Sequence, residues 1–164
     1  LTGENYVATA EQADAMELGK LYAIQTTAST TEGAQYVYCK KLVKNETGER
    51  PLYTGYHSTV SAFYYGTLIV GDQFDGNFDG YSALDTNIPL SSLKEPTAFD
   101  SPTTFAVASV IPGWTAALQL MRAGERWMLY IPWQSAYGSS GNNDGTIPGY
   151  TALTFDLLLE RIVE

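Results

Sequence analysis

Cysteine and histidine are almost absent from this sequence of 164 residues, which contains one of each. Cys39 has no second cysteine to pair with, so the chain forms no internal disulfide. The same scarcity excludes a Cys/His zinc site, and a Ser-His-Asp triad would have to use His57. That histidine lies among the turn-forming residues 55–58, so we expect it in an exposed loop.

Positive charge is also scarce, with nine lysines and arginines against eighteen aspartates and glutamates and a net charge of −9. The basic residues are not clustered, which argues against nucleic acid as a partner and against attraction to an anionic lipid surface. No apolar run approaches the length that spans a bilayer. Because the chain begins at Leu1 rather than at methionine, we expect a processed or trimmed form. We expect an exported, periplasmic or lipid-anchored envelope protein, with the cytoplasm as the alternative location.

Turn-forming and apolar residues are abundant, with fifteen glycines, seven prolines and 45% hydrophobic residues. Many dispersed turns favour a β-rich fold over a helical bundle. We expect residues 1–34 to form an N-terminal extension with a short helix and a strand, and residues 35–164 to form the main domain. An insertion at about residues 76–101 interrupts that domain. The strands of the main domain are expected at residues 35–44, 58–70, 73–75, 103–108, 125–132 and 151–163.

The stretch Val110–Ala117 combines a turn with the start of a helix. Pro112 cannot continue a strand ladder and Gly113 permits a sharp turn, so Trp114 falls at the start of a short helix expected at Thr115–Ala123. An indole at this position is either a core residue or the floor of a pocket. One helix cannot cover both faces of a sheet. We therefore expect an α+β fold in which an antiparallel half-barrel sheet of five to six strands wraps around one short central helix.

Several motifs in one order resemble those of the FKBP-type peptidyl-prolyl cis-trans isomerases, from about Gln35 to the end of the chain. Each motif alone is weak, but the ordered set covers most of the chain. The motifs are Tyr64-Tyr65-Gly66-Thr67-Leu68, Gln73-Phe74-Asp75, Val110-Ile111-Pro112-Gly113-Trp114, Tyr130-Ile131-Pro132 with Ala136-Tyr137-Gly138, Ile147-Pro148, and Leu153-Thr154-Phe155-Asp156.

The resemblance implies a groove between sheet and helix that binds a proline ring and speeds rotation about X-Pro bonds without a metal or cofactor. Trp114 would be its floor and Asp75 the acidic group at its rim, while the Ile111 N–H and the Tyr137 hydroxyl would hold substrate carbonyls. Ile147 would close over the ligand. The implied catalytic residues are Tyr64, Phe74, Asp75, Trp114, Tyr137 and Phe155, and the implied substrate-binding residues are Val110, Ile111, Ile147 and Thr103. The implied partners are proline-containing polypeptides and FK506-like macrolides.

Two departures from the family pattern affect this groove. Thr103 follows Pro102 where the family usually has an aromatic wall, so one side of the groove is expected to be open. The segment between Asp75 and Phe105 is also long for the family. A non-catalytic or weakly catalytic chaperone module is therefore the alternative function. Its binding surface would be the insertion, with Phe78, Tyr81, Ile88, Leu90, Leu93 and Phe99, unless these residues only pack the insertion onto the sheet.

Two other binding functions have weaker support in the sequence. The residues from Asp75 to Gly80 resemble the start of an EF-hand calcium loop, but Thr86 stands where the bidentate glutamate belongs. The twelve tyrosines are compatible with a glycan-binding surface, although tyrosine is also a common strand former with a polar tip.

Overall fold

One antiparallel sheet organises the chain in a computed structural model that describes residues 5–31, 33–68, 73–78 and 94–163. Its strands are β1 (Leu21–Thr30), β2 (Gly33–Val43), β3 (Thr59–Leu68), β4 (Gln73–Gly76), β5 (Thr103–Ala106), β6 (Arg126–Ile131) and β7 (Leu153–Val163), and the α-helices are α1 (Ala10–Asp14) and α2 (Pro112–Leu118). Within the described residues the strand order is β1-β2-β6-β7-β3-β4, and β5 also pairs with β3.

The predicted α+β class with an antiparallel sheet and a short central helix is confirmed. The sheet of seven strands is larger than the five or six expected, because β1 from the N-terminal segment joins it as an edge strand paired with β2. Neither α-helix of the described residues is long and apolar enough to cross a membrane.

The inner face of the sheet packs against α2. Residues of β6 and β7 alternate, so that Trp127, Leu129 and Leu157 point inward and are fully buried. They meet Ala117 and Leu118 of α2 in one hydrophobic core. The alternation predicted for these strands therefore produces the apolar face against which α2 packs.

The outer face of the sheet carries a second, smaller cluster of buried apolar residues. Met128 and Tyr65 pack there with Phe78, which lies at the start of the insertion and is only 4% exposed. Beside them the buried Arg126 donates two hydrogen bonds to the buried Asp156 and one to Glu95, at the far end of the insertion. Both described ends of the insertion are thus fastened to the outer face.

Helix α2 begins earlier than the sequence predicted. Pro112 occupies its first turn, where a missing N–H costs nothing, and Trp114 is its third residue. The expected span Thr115–Ala123 is wrong at both ends. After Leu118 the chain turns away, and the Ala123 N–H donates to the Glu49 carbonyl instead of to a helical partner.

The N-terminal segment contains the short helix and strand that were predicted for it. Thr9 caps α1 through the Gln12 N–H, and the Gln12 side chain accepts from the Thr9 N–H in return. Asp14 at the end of α1 forms ion pairs with Arg50 and Arg122. Because Val7, Ala13 and Met16 belong to the main hydrophobic core, α1 and β1 pack as part of the sheet structure. The division of the chain at residue 34 stays a prediction.

Candidate functional site

A cavity of about 300 Å³ opens between the start of α2 and the inner face of β3, β4 and β7. Its lining is mostly aromatic or apolar, with one carboxylate. The lining residues are Tyr64, Phe74, Asp75, Phe105, Ser109, Val110, Ile111, Trp114, Tyr137 and Phe155. An enclosed apolar cavity with a few polar groups is the usual form of a small-ligand site.

Trp114 lines this cavity and is 4% exposed. Three rings meet the indole edge-on, with centroid distances of 5.3 Å to Tyr64, 5.0 Å to Phe105 and 5.2 Å to Phe155. Phe74 continues the wall by meeting Phe155 at 5.4 Å. Edge-to-face contacts of this kind stabilise one relative orientation of the rings, so the floor and walls hold each other in place.

The rings of Phe155 and Phe74 leave no room for a side chain at Gly66 of β3. A Cβ atom at this residue would lie 2.6 Å from Cε1 of Phe155 and 2.9 Å from Cζ of Phe74, which is too close for either ring to keep its place. The glycine of the Tyr-Tyr-Gly-Thr-Leu motif therefore makes room for the wall.

Four oxygen-bearing side chains line the cavity, those of Tyr64, Asp75, Ser109 and Tyr137. Burial, followed by the hydrogen bond to Asp75 and the charge of that carboxylate, raises the pKa of Tyr64 well above its usual value. Burial and then the charges of Asp75 and Asp144 raise the pKa of Tyr137. Both phenols are therefore neutral at physiological pH, and the Tyr137 hydroxyl is a hydrogen-bond donor at the mouth of the cavity.

Eight of the ten residues predicted for the site line this cavity, and two do not. Ile147 is 2% exposed in the hydrophobic core and is not among the lining residues, and its N–H donates to Oδ1 of Asn142. Thr103 lies on β5 opposite Ala62, and its hydroxyl accepts a hydrogen bond from Nδ2 of Asn77. Thr103 is not among the lining residues, and the open side expected next to it stays a prediction.

Phe105 and Ser109 are further lining residues that the sequence did not single out. The signal for Phe105 was available, because residues 103 and 105 of one strand point to the same face. It is the alternation of β5, rather than the position after Pro102, that locates the aromatic residue.

The remaining nucleophiles and titratable groups of interest lie elsewhere. Burial raises the pKa of Cys39 to about 12, so its thiol is neutral and lies in the core. His57 is half-buried rather than exposed, in the loop before β3, and it adopts the left-handed conformation with φ 64°. Residues 5–31, 33–68, 73–78 and 94–163 contain no group of three His, Cys, Asp or Glu side chains able to hold a metal ion.

The calcium-loop alternative extends to residues 79–86, which lie outside the described residues. Of its described members, Asn77 does not present a free ligand oxygen, because its Oδ1 accepts a hydrogen bond from the Tyr64 N–H at 2.8 Å. The binding surface of the chaperone alternative also extends beyond the described residues, because Tyr81, Ile88, Leu90 and Leu93 lie outside them. Phe78 packs onto the sheet, whereas Phe99 is 98% exposed.

The family model described as FKBP-type peptidyl-prolyl cis-trans isomerase matches residues 54–160. This match covers the curled sheet from the loop before β3 to β7, together with α2 and the aromatic cavity. The chain therefore belongs to the FKBP-type peptidyl-prolyl cis-trans isomerase family.

The chain is also similar to individual curated relatives. The chain is 52% identical over 76 residues to "Macrophage infectivity potentiator" of Trypanosoma cruzi, a match covering 43% of the chain and 38% of the relative. It is 40% identical over 106 residues to "Outer membrane protein MIP" of Legionella longbeachae, covering 65% of the chain and 34% of the relative. The chain thus spans little more than a third of the length of these curated relatives.

A solved structure supports the fold as well. The peptidyl-prolyl cis-trans isomerase of Pseudomonas syringae pv. tomato superposes with a TM-score of 0.58 at 30% identity, covering 78% of this chain and 76% of that one.

Proposed function

We propose that this chain catalyses cis-trans isomerisation of X-Pro peptide bonds, with the proline ring bound on Trp114. The observation that carries the proposal is the aromatic enclosure around that indole, formed by Tyr64, Phe105 and Phe155 at 5.0–5.3 Å. A five-membered apolar ring fits a cavity of about 300 Å³ and leaves room for the flanking peptide groups.

The reaction itself needs no bond to be broken. Rotation about a peptide bond faces a barrier of about 18–20 kcal/mol, because the planar amide is stabilised by resonance. The planar form also has a large dipole that water solvates well, and twisting the bond reduces that dipole. A dry aromatic cavity therefore destabilises the planar amide more than the twisted one, which lowers the barrier between them.

The polar groups of the cavity would hold the substrate while it twists. The Tyr137 hydroxyl and the Ile111 N–H are the donors that we assign to substrate carbonyls. Asp75 accepts from the Tyr64 hydroxyl and so keeps that wall in position. Neutral phenols and a single carboxylate suit a reaction in which no proton is transferred.

The test is an exchange measurement by NMR on an Ala-Leu-Pro-Phe peptide, which requires no coupling protease. The protein should raise the cis-trans exchange rate, and FK506 should compete with the peptide. An exchange rate equal to that of the free peptide at micromolar protein would refute the proposed activity. Activity that FK506 does not inhibit would instead restrict the proposal to peptide substrates.

The proposal also includes the substrates of the activity and its location in the cell. Proline-containing segments of other polypeptides are the expected substrates, and the cell envelope is the expected location. The name of the Legionella relative, an outer membrane protein, supports that location. Fractionation of the source cells, with detection of the chain in the envelope fraction, would test it.

A further inference from the structure

One edge of β3 is covered by two separate short strands. Strand β7 pairs with β3 along the whole of Thr59–Leu68, which leaves the opposite edge for β4 and β5. Strand β4 pairs with Tyr65–Thr67 and β5 with Thr59–Ala62. Between them, Phe63 and Tyr64 have no partner strand on this edge among residues 5–31, 33–68, 73–78 and 94–163. The insertion leaves the sheet and returns to it at this gap.

The side chain of Asn77 bridges the gap. Its Oδ1 accepts from the Tyr64 N–H at 2.8 Å, and its Nδ2 donates to the Ala62 carbonyl at 2.9 Å and to the Thr103 hydroxyl at 3.1 Å. The Asn77 N–H also donates to the Tyr64 carbonyl at 3.0 Å. One residue thus contacts β3 at two places and joins it to the first residue of β5.

The chemistry of a carboxamide explains why an asparagine can do this. Its carbonyl and NH₂ groups offer the same acceptor and donor as a peptide group, so the side chain continues the ladder of hydrogen bonds between β4 and β5. The preceding residue must allow a close approach. At Gly76 a Cβ would lie 3.0 Å from the Tyr64 carbonyl oxygen and 2.9 Å from Nε2 of Gln73.

The three segments that Asn77 joins are the ones that form one side of the cavity. Asp75 precedes it by two residues, Tyr64 is its partner on β3, and Phe105 follows Thr103 by two residues on β5. Tyr64 and Phe105 meet edge-on at 5.5 Å. We propose that Asn77 is a positioning residue for the isomerase reaction, holding Tyr64, Asp75 and Phe105 in the arrangement that favours the twisted amide. This inference rests on the proposed function.

The test is a comparison of Asn77→Ala with Asn45→Ala in the NMR exchange assay. Asn45 is a matched control, because its side chain also makes three hydrogen bonds, to Ala123 and Thr47, but lies outside the cavity lining. For Asn77→Ala we expect kcat to fall about tenfold or more, since small misplacements of positioning groups have effects of this size. KM should change less than twofold, because Trp114 still binds the proline ring.

A purely structural role would lower the melting temperature of both variants and leave kcat of the folded protein unchanged. Thr103→Val removes only one of the three bonds and is expected to lower kcat about threefold. If Asn77→Ala does not fold, the kcat of Thr103→Val decides between a positioning role and a purely structural role. The inference is overturned if kcat of Asn77→Ala lies within twofold of that of Asn45→Ala. It is also overturned if Asn77→Ala does not fold and Thr103→Val has the kcat of the unaltered protein. An inactive unaltered protein would refute the proposed function as well, so the two failures are distinguishable.

Discussion

The indole of Trp114 and the ring of Phe105 meet edge to face, with centroids 5.0 Å apart and planes inclined by 69°. This contact joins the start of α2 to β5, and it is part of the aromatic enclosure around the indole.

Replacing Phe105 with alanine should lower kcat/KM for X-Pro exchange about tenfold, which corresponds to about 1.4 kcal/mol of transition-state stabilisation. The reason is that water would reach the bound amide from this side. The free energy of unfolding, measured in urea, should fall by about 2 kcal/mol. This loss is moderate because the ring is only half-buried. Phe99→Ala is the matched control, since that ring is 98% exposed, and it should change neither quantity.

Replacing Tyr137 with phenylalanine should lower kcat/KM about fivefold and leave the fold intact, because one hydrogen bond to the substrate is lost. The hydroxyl lies at the cavity mouth, and the residue is 37% exposed, so its removal leaves no buried group unpaired. The exchange assay measures the effect, with Tyr150→Phe as the control outside the cavity lining. Equal rates for all three proteins would show that the Tyr137 hydroxyl does not hold the substrate.

Replacing Gly66 with alanine should destabilise the protein by about 1–3 kcal/mol and also reduce activity, because the new methyl group displaces the rings of Phe155 and Phe74. Chemical denaturation gives the first quantity and the exchange assay the second. Near-ultraviolet circular dichroism should change too, since it reports on the packing of aromatic rings. Full activity in this variant would mean that the wall can shift without affecting the reaction.

Replacing Asp14 with asparagine should lower stability at pH 7 by about 1 kcal/mol, a modest effect because the ion pairs are partly exposed. Hydrogen bonds from Arg122 and then Arg50 hold the pKa of Asp14 well below its usual 3.8. A lowered carboxyl pKa stabilises the folded state above pH 3.8, and this contribution disappears as the pH falls towards the folded-state pKa.

The measurement for Asp14 is the free energy of unfolding by urea between pH 2 and pH 7. The difference between the unaltered protein and Asp14→Asn should be constant above about pH 5 and narrow below pH 3.8. Glu46→Gln, which removes an exposed ion pair with Lys44, serves as the control and should have little effect. A difference independent of pH would contradict the assigned ion pairs.

Local patterns in the sequence predicted those parts of the site that depend on nearby residues. Trp114 follows Pro112 and Gly113, so its place at the start of a helix could be deduced from turn and helix propensities. Phe155 belongs to an alternating strand, and its inward direction follows from that alternation. The ordered family motifs then brought these residues together with Tyr64 and Asp75.

The features that could not be predicted depend on contacts between distant residues. Thr103 was chosen for its position after Pro102, whereas the register of β5 against β3 places Phe105 in the cavity. Ile147 is buried because the loop before it folds back through Asn142. The expected helix would have included Ala123, but the Ala123 N–H donates to the Glu49 carbonyl, a contact that no pattern within the helix indicates.

The most direct test of the proposed site compares Trp114→Leu with Trp133→Leu in the NMR exchange assay on folded protein. The rings of Trp133 and Tyr150 meet with their centroids 4.8 Å apart, and Trp133 is not among the cavity-lining residues. We expect Trp114→Leu to lower kcat/KM by about tenfold or more, because the surface that binds the proline ring is lost, and Trp133→Leu to retain the original value. An unchanged kcat/KM in folded Trp114→Leu would contradict the assignment of the active site to this cavity.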